Sequence, residues 1–154
     1  MRETFDELAG VVDLFGALTR EELLDACAEL AFKSDGASLD PAAFSSAIDG
    51  ALEAYVLVET TVDGEPVLLA GPTAFPTLPA HATDLPHILD VERRSIDRDA
   101  VAERVLERIA QEVDSELDPA RAETLLDVTY DLETWATVDV TEVRAGLDVL
   151  AREP

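Results

Sequence analysis

Asp63-Gly64 is the feature that most constrains this chain. The pair suits the two-residue turn of a β-hairpin, where both central positions need a positive φ. Before it, Val56, Val58, Thr60 and Val62 alternate with more mixed residues, the period of a half-buried strand. A turn at Asp63-Gly64 predicts a register with Val62 opposite Glu65, Thr60 opposite Val67 and Val58 opposite Leu69. The largely apolar faces of the two arms then coincide, and a slip of one residue would turn every side chain to the wrong face. Pro66 has no N–H to give a neighbouring strand, so it marks an exposed edge.

The residues before the hairpin read as helix. Phe5, Leu8, Val12, Phe15 and Leu18 recur at helical spacing behind a capping box of Thr4 and Glu7. Thr19 and Glu22 form a second box. Leu23, Cys27, Leu30 and Ala31 make the inner face of that second helix, and Lys33-Ser34-Asp35-Gly36 should stop it. Asp40 as N-cap and Pro41 at the first helical position open a third helix, with Phe44, Ile48, Leu52 and Tyr55 on one side. By the order of its elements, three helices and then a hairpin, this part resembles a winged-helix domain.

Pro72, Pro76, Pro79 and Pro86 prevent any long helix from crossing residues 71–90. Phe75, Leu78, Leu85, Ile88 and Leu89 are too apolar for a free linker, so the expectation is an extended segment packed on the domain. Val101, Val105, Ile109 and Val113 then predict a fourth helix from Asp97 to Leu117. Asp118-Pro119 opens a fifth, running through Leu125, Leu126, Thr129 and Leu132 to Trp135. Asp139 with Glu142 caps a sixth, carrying Val143, Leu147 and Leu150. The fold class is therefore mainly α with a small β-hairpin. It divides into a winged-helix-like part over residues 1–72, a proline-rich extended segment over 73–92 and a three-helix part over 93–154.

Charge bounds the setting. The chain carries 34 acids against 11 bases, a net charge of -23, and Lys33 is its one lysine. Such a charge repels itself in dilute buffer, whereas at molar salt the Debye length of about 3 Å screens most of that repulsion. Carboxylates are compact and strongly hydrated, while a lysine stem exposes methylenes. An acidic, lysine-poor surface thus suits a halophilic protein. The acids are spread, with 15 acids and 3 bases in residues 1–72 and 19 acids and 8 bases in residues 73–154, so neither part is a basic arm. Cys27 is the only cysteine, which excludes an intramolecular disulfide, and it reads as a small apolar residue of a helix. Met1 to Glu7 is acidic and lacks the apolar core of a signal peptide. No run approaches the roughly 18 consecutive apolar residues of a membrane span. The expected location is cytoplasmic, without membrane contact.

Three stretches carry a family resemblance: Ala74-Phe75-Pro76-Thr77-Leu78-Pro79, Asp84-Leu85-Pro86-His87-Ile88-Leu89-Asp90-Val91, and Leu125-Leu126-Asp127-Val128-Thr129-Tyr130-Asp131-Leu132-Glu133-Thr134-Trp135. They resemble a family of small, uncharacterised acidic proteins of halophilic archaea. The resemblance implies no activity, cofactor or catalytic residue.

A winged helix invites a DNA reading, because its third helix usually enters the major groove. Here the third helix and the hairpin hold Asp49, Glu53, Glu59, Asp63 and Glu65 and not one lysine or arginine. Phosphate contact needs cations, so nucleic acid is disfavoured on that surface. The one basic cluster is Arg93, Arg94, Arg98, Arg104 and Arg108, interspersed with Asp97, Asp99, Glu103 and Glu107. Two readings stay open for it. Its arginines pair with acids of a neighbouring element or cover apolar surface with their stems, or they meet a phosphate, a nucleic acid or an acidic partner. His81 and His87 are acceptable metal ligands, but their spacing to Asp84, Asp90 and Glu92 matches no zinc motif. Surface histidines, or one tying down a loop carbonyl, are the plainer reading, and no metal or cofactor is expected.

No Gly-rich phosphate loop, G-x-S-x-G elbow or H-E-x-x-H occurs, so the chain is not expected to be an enzyme. Phe44, Phe75, Tyr130 and Trp135 read most simply as core or seam residues. Where exposed, Phe75, Tyr130 and Trp135 would suit a protein interface. The expected function is that of a non-enzymatic halophilic protein acting through protein–protein contacts. The alternative is a winged-helix, transcription-related DNA-binding protein that uses the Arg93–Arg108 cluster.

Overall fold

The hairpin forms in the predicted register. Strands β1 (Leu57–Val62) and β2 (Glu65–Ala70) are antiparallel, with Val62 opposite Glu65, Thr60 opposite Val67 and Val58 opposite Leu69. Asp63 at φ 51° and Gly64 at φ 81° make the turn. The computed structural model describes residues 2–35, 40–115 and 117–152. Among them are seven α-helices and this one two-stranded sheet, a mainly helical fold with a small hairpin. Contacts group the chain into two units, Met1–Ile96 and Asp97–Pro154.

In the first unit, α1 (Arg2–Leu14), α2 (Arg20–Asp35) and α3 (Pro41–Glu53) precede the hairpin. α1 begins before the expected cap at Thr4, because Arg2 and Glu3 are good helix formers with no breaker among them. α2 opens on the predicted box: Thr19 N–H donates to Glu22 Oε1 at 2.9 Å and Glu22 N–H to Thr19 Oγ1 at 3.1 Å. α2 runs through Asp35, and its expected stop at Gly36 lies outside the described residues. Asp40 caps α3 by accepting from Ala42 N–H, with Pro41 in the first turn.

Two local expectations need correction. Leu18 was expected on the first helix, but α1 ends at Leu14 and Gly16 turns the chain at φ 79°. Leu18 then joins the sheet, exchanging backbone hydrogen bonds of 3.0 and 2.7 Å with Leu68. Glycine is suited to that turn because it alone enters the left-handed region without a Cβ penalty. Tyr55 was expected on the third helix, but it follows the end of α3 with φ 60° and is fully buried. The unit's core is apolar: Phe15, Leu18, Leu23, Ile48, Tyr55, Leu57 and Leu68 are all less than 2% exposed. Burying each such leucine or phenylalanine stabilises by roughly 1.5–3 kcal/mol.

The segment after the hairpin is irregular rather than extended throughout. It contains a 3-10 turn (Ala82–Asp84) and one turn of helix, α4 (Leu85–Ile88). Ala82 and Leu85 are fully buried, whereas Phe75, Leu78 and Ile88 are exposed. Ala82 and Leu85 anchor the segment, while Phe75, Leu78 and Ile88 project outward.

The second unit contains α5 (Arg98–Asp114), α6 (Pro119–Trp135) and α7 (Thr141–Ala151). Val101, Val105, Ile109, Leu125, Val128, Leu132 and Leu147 form its core. α5 is a turn shorter than predicted. At Ser115 the backbone turns extended, and both its N–H and its hydroxyl bond to the Glu112 carbonyl, so the helix closes before Leu117. Asp118 caps α6 as expected, accepting from Arg121 N–H at 2.8 Å. α7 starts at Thr141, whose N–H is taken by Asp139 Oδ1 at 3.0 Å. No helix among the described residues is long and apolar enough to cross a membrane.

Candidate functional site

The arginine cluster is divided between the units. Arg93 and Arg94 belong to the first, Arg98, Arg104 and Arg108 to the second. Arg93 reaches back to the end of α1, where its Nη1 donates to the carbonyls of Leu14 at 3.0 Å and Asp13 at 3.4 Å. These are carbonyls of the last turn of α1, Asp13 O also accepting from Gly16 N–H at 3.2 Å, and a cation there suits the negative end of the helix dipole.

Arg94 clamps the same corner more firmly. Its backbone N–H donates to Phe15 O at 2.8 Å. Its guanidinium donates to Ala17 O at 3.0 Å and to both Glu22 oxygens at 2.7 and 3.3 Å, and lies 3.7 Å from Glu65 on β2. Burial pushes the Glu22 carboxyl up, but hydrogen bonds from Arg94 and Thr19 and the Arg94 charge outweigh it and leave the pKa below its ordinary value. The matching bond from Glu22 raises Arg94, against a smaller effect of burial. A Cβ on Gly16 would strike the Arg94 carbonyl. These two arginines hold the α1–α2 corner together.

In the second unit, the Arg98 guanidinium lies 5.0 Å from the Trp135 ring centroid, with a long 3.5 Å contact to the Trp135 carbonyl. Trp135 is half-buried. Arg104 and Arg108 are exposed on α5. Tyr130 is exposed on one side, while the Arg144 guanidinium stacks 4.0 Å from its ring centroid. Arg144 Nε also donates to Thr129 Oγ1 at 3.1 Å. Its Nη2 lies 3.1 Å from Glu133 Oε2 but off hydrogen-bond alignment, so that contact is electrostatic.

Phe75 stands 74% exposed on a fixed backbone. Its N–H donates to Asp6 Oδ1 at 3.1 Å, and Thr77 N–H donates to Asp6 O at 3.1 Å. Asp6 itself is buried on α1. Phe75 and Tyr130 are thus surface residues rather than core, whereas Phe44 is buried.

An apolar cleft of about 390 Å³ opens beside this anchor, lined by α1, α2, α3 and Pro79-Ala80. Cys27 lies on its wall, half-buried, its thiol pushed up to about 12 by burial and then by the Glu7 charge. Burial and the Glu7 charge both disfavour its thiolate, the nucleophilic form. His81, at φ 72°, and His87 are both exposed. No group of three or more His, Cys, Asp or Glu placed to hold a metal ion occurs among the described residues.

The surface of α3 and the hairpin is acidic. Asp40, Asp49, Glu53, Glu59, Asp63 and Glu65 are exposed there, and Arg20 reaches Asp49 from α2 at 3.2 Å.

Comparison with family models matches residues 6–152. The chain belongs to a family of unknown function (DUF7109). Comparison with curated proteins and with solved structures gave no match.

Sequence reasoning missed two features of this DUF7109 chain. One is the Asp6 carboxylate under Phe75, where an acid in an acidic helix gave no sign of burial. The other is the Arg94 clamp, whose partner Glu22 lies 72 residues away.

Proposed function

We propose that this protein acts through protein–protein contacts rather than catalysis, with Phe75 as a pre-positioned anchor. The observation that carries this reading is the pairing of a 74% exposed phenyl ring with a backbone held by a buried carboxylate. Exposed aromatic side chains on ordered backbone make strong interface anchors, because little freedom remains to be lost when a partner covers them. On the other unit, Tyr130 and Trp135 each present a partly covered ring, on different sides of α6.

Charge supports the same reading. The net charge of -23 fits a halophilic, cytoplasmic protein, for which molar salt screens electrostatic steering. Under those conditions apolar contact is left to supply affinity. The thiol of Cys27, held neutral, speaks against thiolate chemistry.

Co-purification from cells in molar KCl tests the proposal. Wild-type protein is expected to retain a partner that Phe75→Ala loses, with unchanged helix content by circular dichroism. Wild-type protein recovered alone and monomeric would count against it.

A second reading has one observation in its favour. The Leu18–Leu68 bridge adds a third backbone segment to the hairpin behind three helices, which suits a winged-helix architecture. The acidic α3 and hairpin oppose groove reading through that face. Nucleic-acid contact would then fall to Arg98, Arg104 and Arg108 of α5. DNA binding in molar KCl that survives charge reversal of Arg104 and Arg108 would exclude that surface.

A further inference from the structure

The surface cleft of about 390 Å³ in the first unit falls within the roughly 300–1,000 Å³ of small-molecule sites. Its chemistry is graded. Leu8, Leu30 and Phe44 along the floor are buried. The α3 wall is built from Ala43 and Ala47, whose side chains are too short to fill the space. Among the described lining residues, Glu7, exposed, is the one charged side chain. We propose that this cleft binds a small amphiphile, with its apolar body on the Leu8–Phe44 floor and a cationic or N–H donor head at Glu7.

The sign of the head group follows from charge complementarity. An anionic head would meet the Glu7 carboxylate on a chain of net charge -23. At molar salt only contact-range charge survives screening, so Glu7, the charged side chain among the described lining residues, sets the preference. Binding is non-covalent, because an amphiphile with such a head carries no electrophile for the Cys27 thiol on the wall. This site is separate in residues from the Phe75 anchor, so it can fail without touching that reading.

The test uses the full chain in molar KCl with two probes of equal tail length, n-octylammonium chloride and sodium octanoate. Amide ¹H–¹⁵N shifts are followed on titration. The amine is expected to give saturable shifts confined to Leu8, Cys27, Ala43 and Ala47. Octanoate should bind about threefold more weakly, the scale of one exposed ion pair. Glu7→Gln should bring the two probes to equal affinity, and Ala47→Trp, which fills the cleft, should reduce amine binding at least about tenfold. If Ala47→Trp fails to fold, Ala43→Leu on the same wall replaces it. Absence of saturation with the amine, equal affinity of the probes for wild type, or full binding by the filled variant would each overturn the proposal.

Discussion

Arg94 donates from one guanidinium to a loop carbonyl and to Glu22, and approaches a strand carboxylate as well. Its side chain and that of Glu22 are 23% and 25% exposed, so solvent screens the pair only in part. Arg94→Ala is expected to cost about 1.5–3 kcal/mol, the scale of hydrogen bonds to charged groups, in urea unfolding at fixed molar KCl. A cost near zero would mean that the clamp is ornamental. Glu22 adds a pH signature. Folding depresses its pKa, so its stabilisation is fully present above the ordinary glutamate range and is lost as pH falls through the folded-state value. The stability gap between wild type and Glu22→Gln should therefore shrink on acidification. A gap that stays constant from neutral pH to pH ~3 would sink this account. The comparison must be made between variants, since protonating other acids of so anionic a chain relieves repulsion and acts in the opposite sense. Half of this cluster was legible. Thr19 and Glu22 stand three apart, and a capping box is a local pattern. Arg94 was visible as a charge only, because an arginine reads the same in sequence whether it is solvated or spent on a partner 72 residues away.

Elements were legible where local chemistry fixes them. The caps at Asp40 and Asp118 and the turn at Asp63-Gly64 lie where short-range rules place them. Elements were misread where tertiary contact decides. Leu18 continues the apolar period of α1, yet it pairs with Leu68 because Gly16 breaks the helix first. Residues 71–90 hide one turn of helix behind four prolines, since Pro86 at the start of α4 is tolerated there. The candidate interface residue Phe75 was legible as an apolar residue but not as an exposed one. Two glycines separate local from tertiary constraint. Gly64 and Gly16 both have positive φ, but a Cβ on Gly64 meets open space and one on Gly16 meets the Arg94 carbonyl. Gly64→Ala should cost about 1–2 kcal/mol, the backbone term alone. Gly16→Ala should cost more, because the α1–α2 corner must also move. Equal costs in chemical unfolding would show that the Arg94 contact imposes nothing on that turn.

At the scale of the whole molecule, the acidic charge loads the two units unequally. Residues 1–96 hold 18 acids and 5 bases, a charge of -13, and residues 97–154 hold 16 acids and 6 bases, a charge of -10. The second unit is the shorter and carries more charge per residue. Small units also bury a smaller fraction of their surface, so less apolar burial opposes the repulsion there. Lowering KCl from molar to millimolar lengthens the screening distance from about 3 Å towards 30 Å and beyond. Charges along each helix then repel across several turns. Helix content by circular dichroism is expected to fall, with the second unit giving way at the higher KCl concentration. Trp135, the one tryptophan, lies in that unit against Arg98, so its fluorescence reports the second unit while dichroism reports all helices. The fluorescence midpoint should therefore come at higher KCl than the dichroism midpoint. Coincident midpoints would mean that the units melt as one, and full helix at millimolar KCl would mean that the acids serve solubility alone.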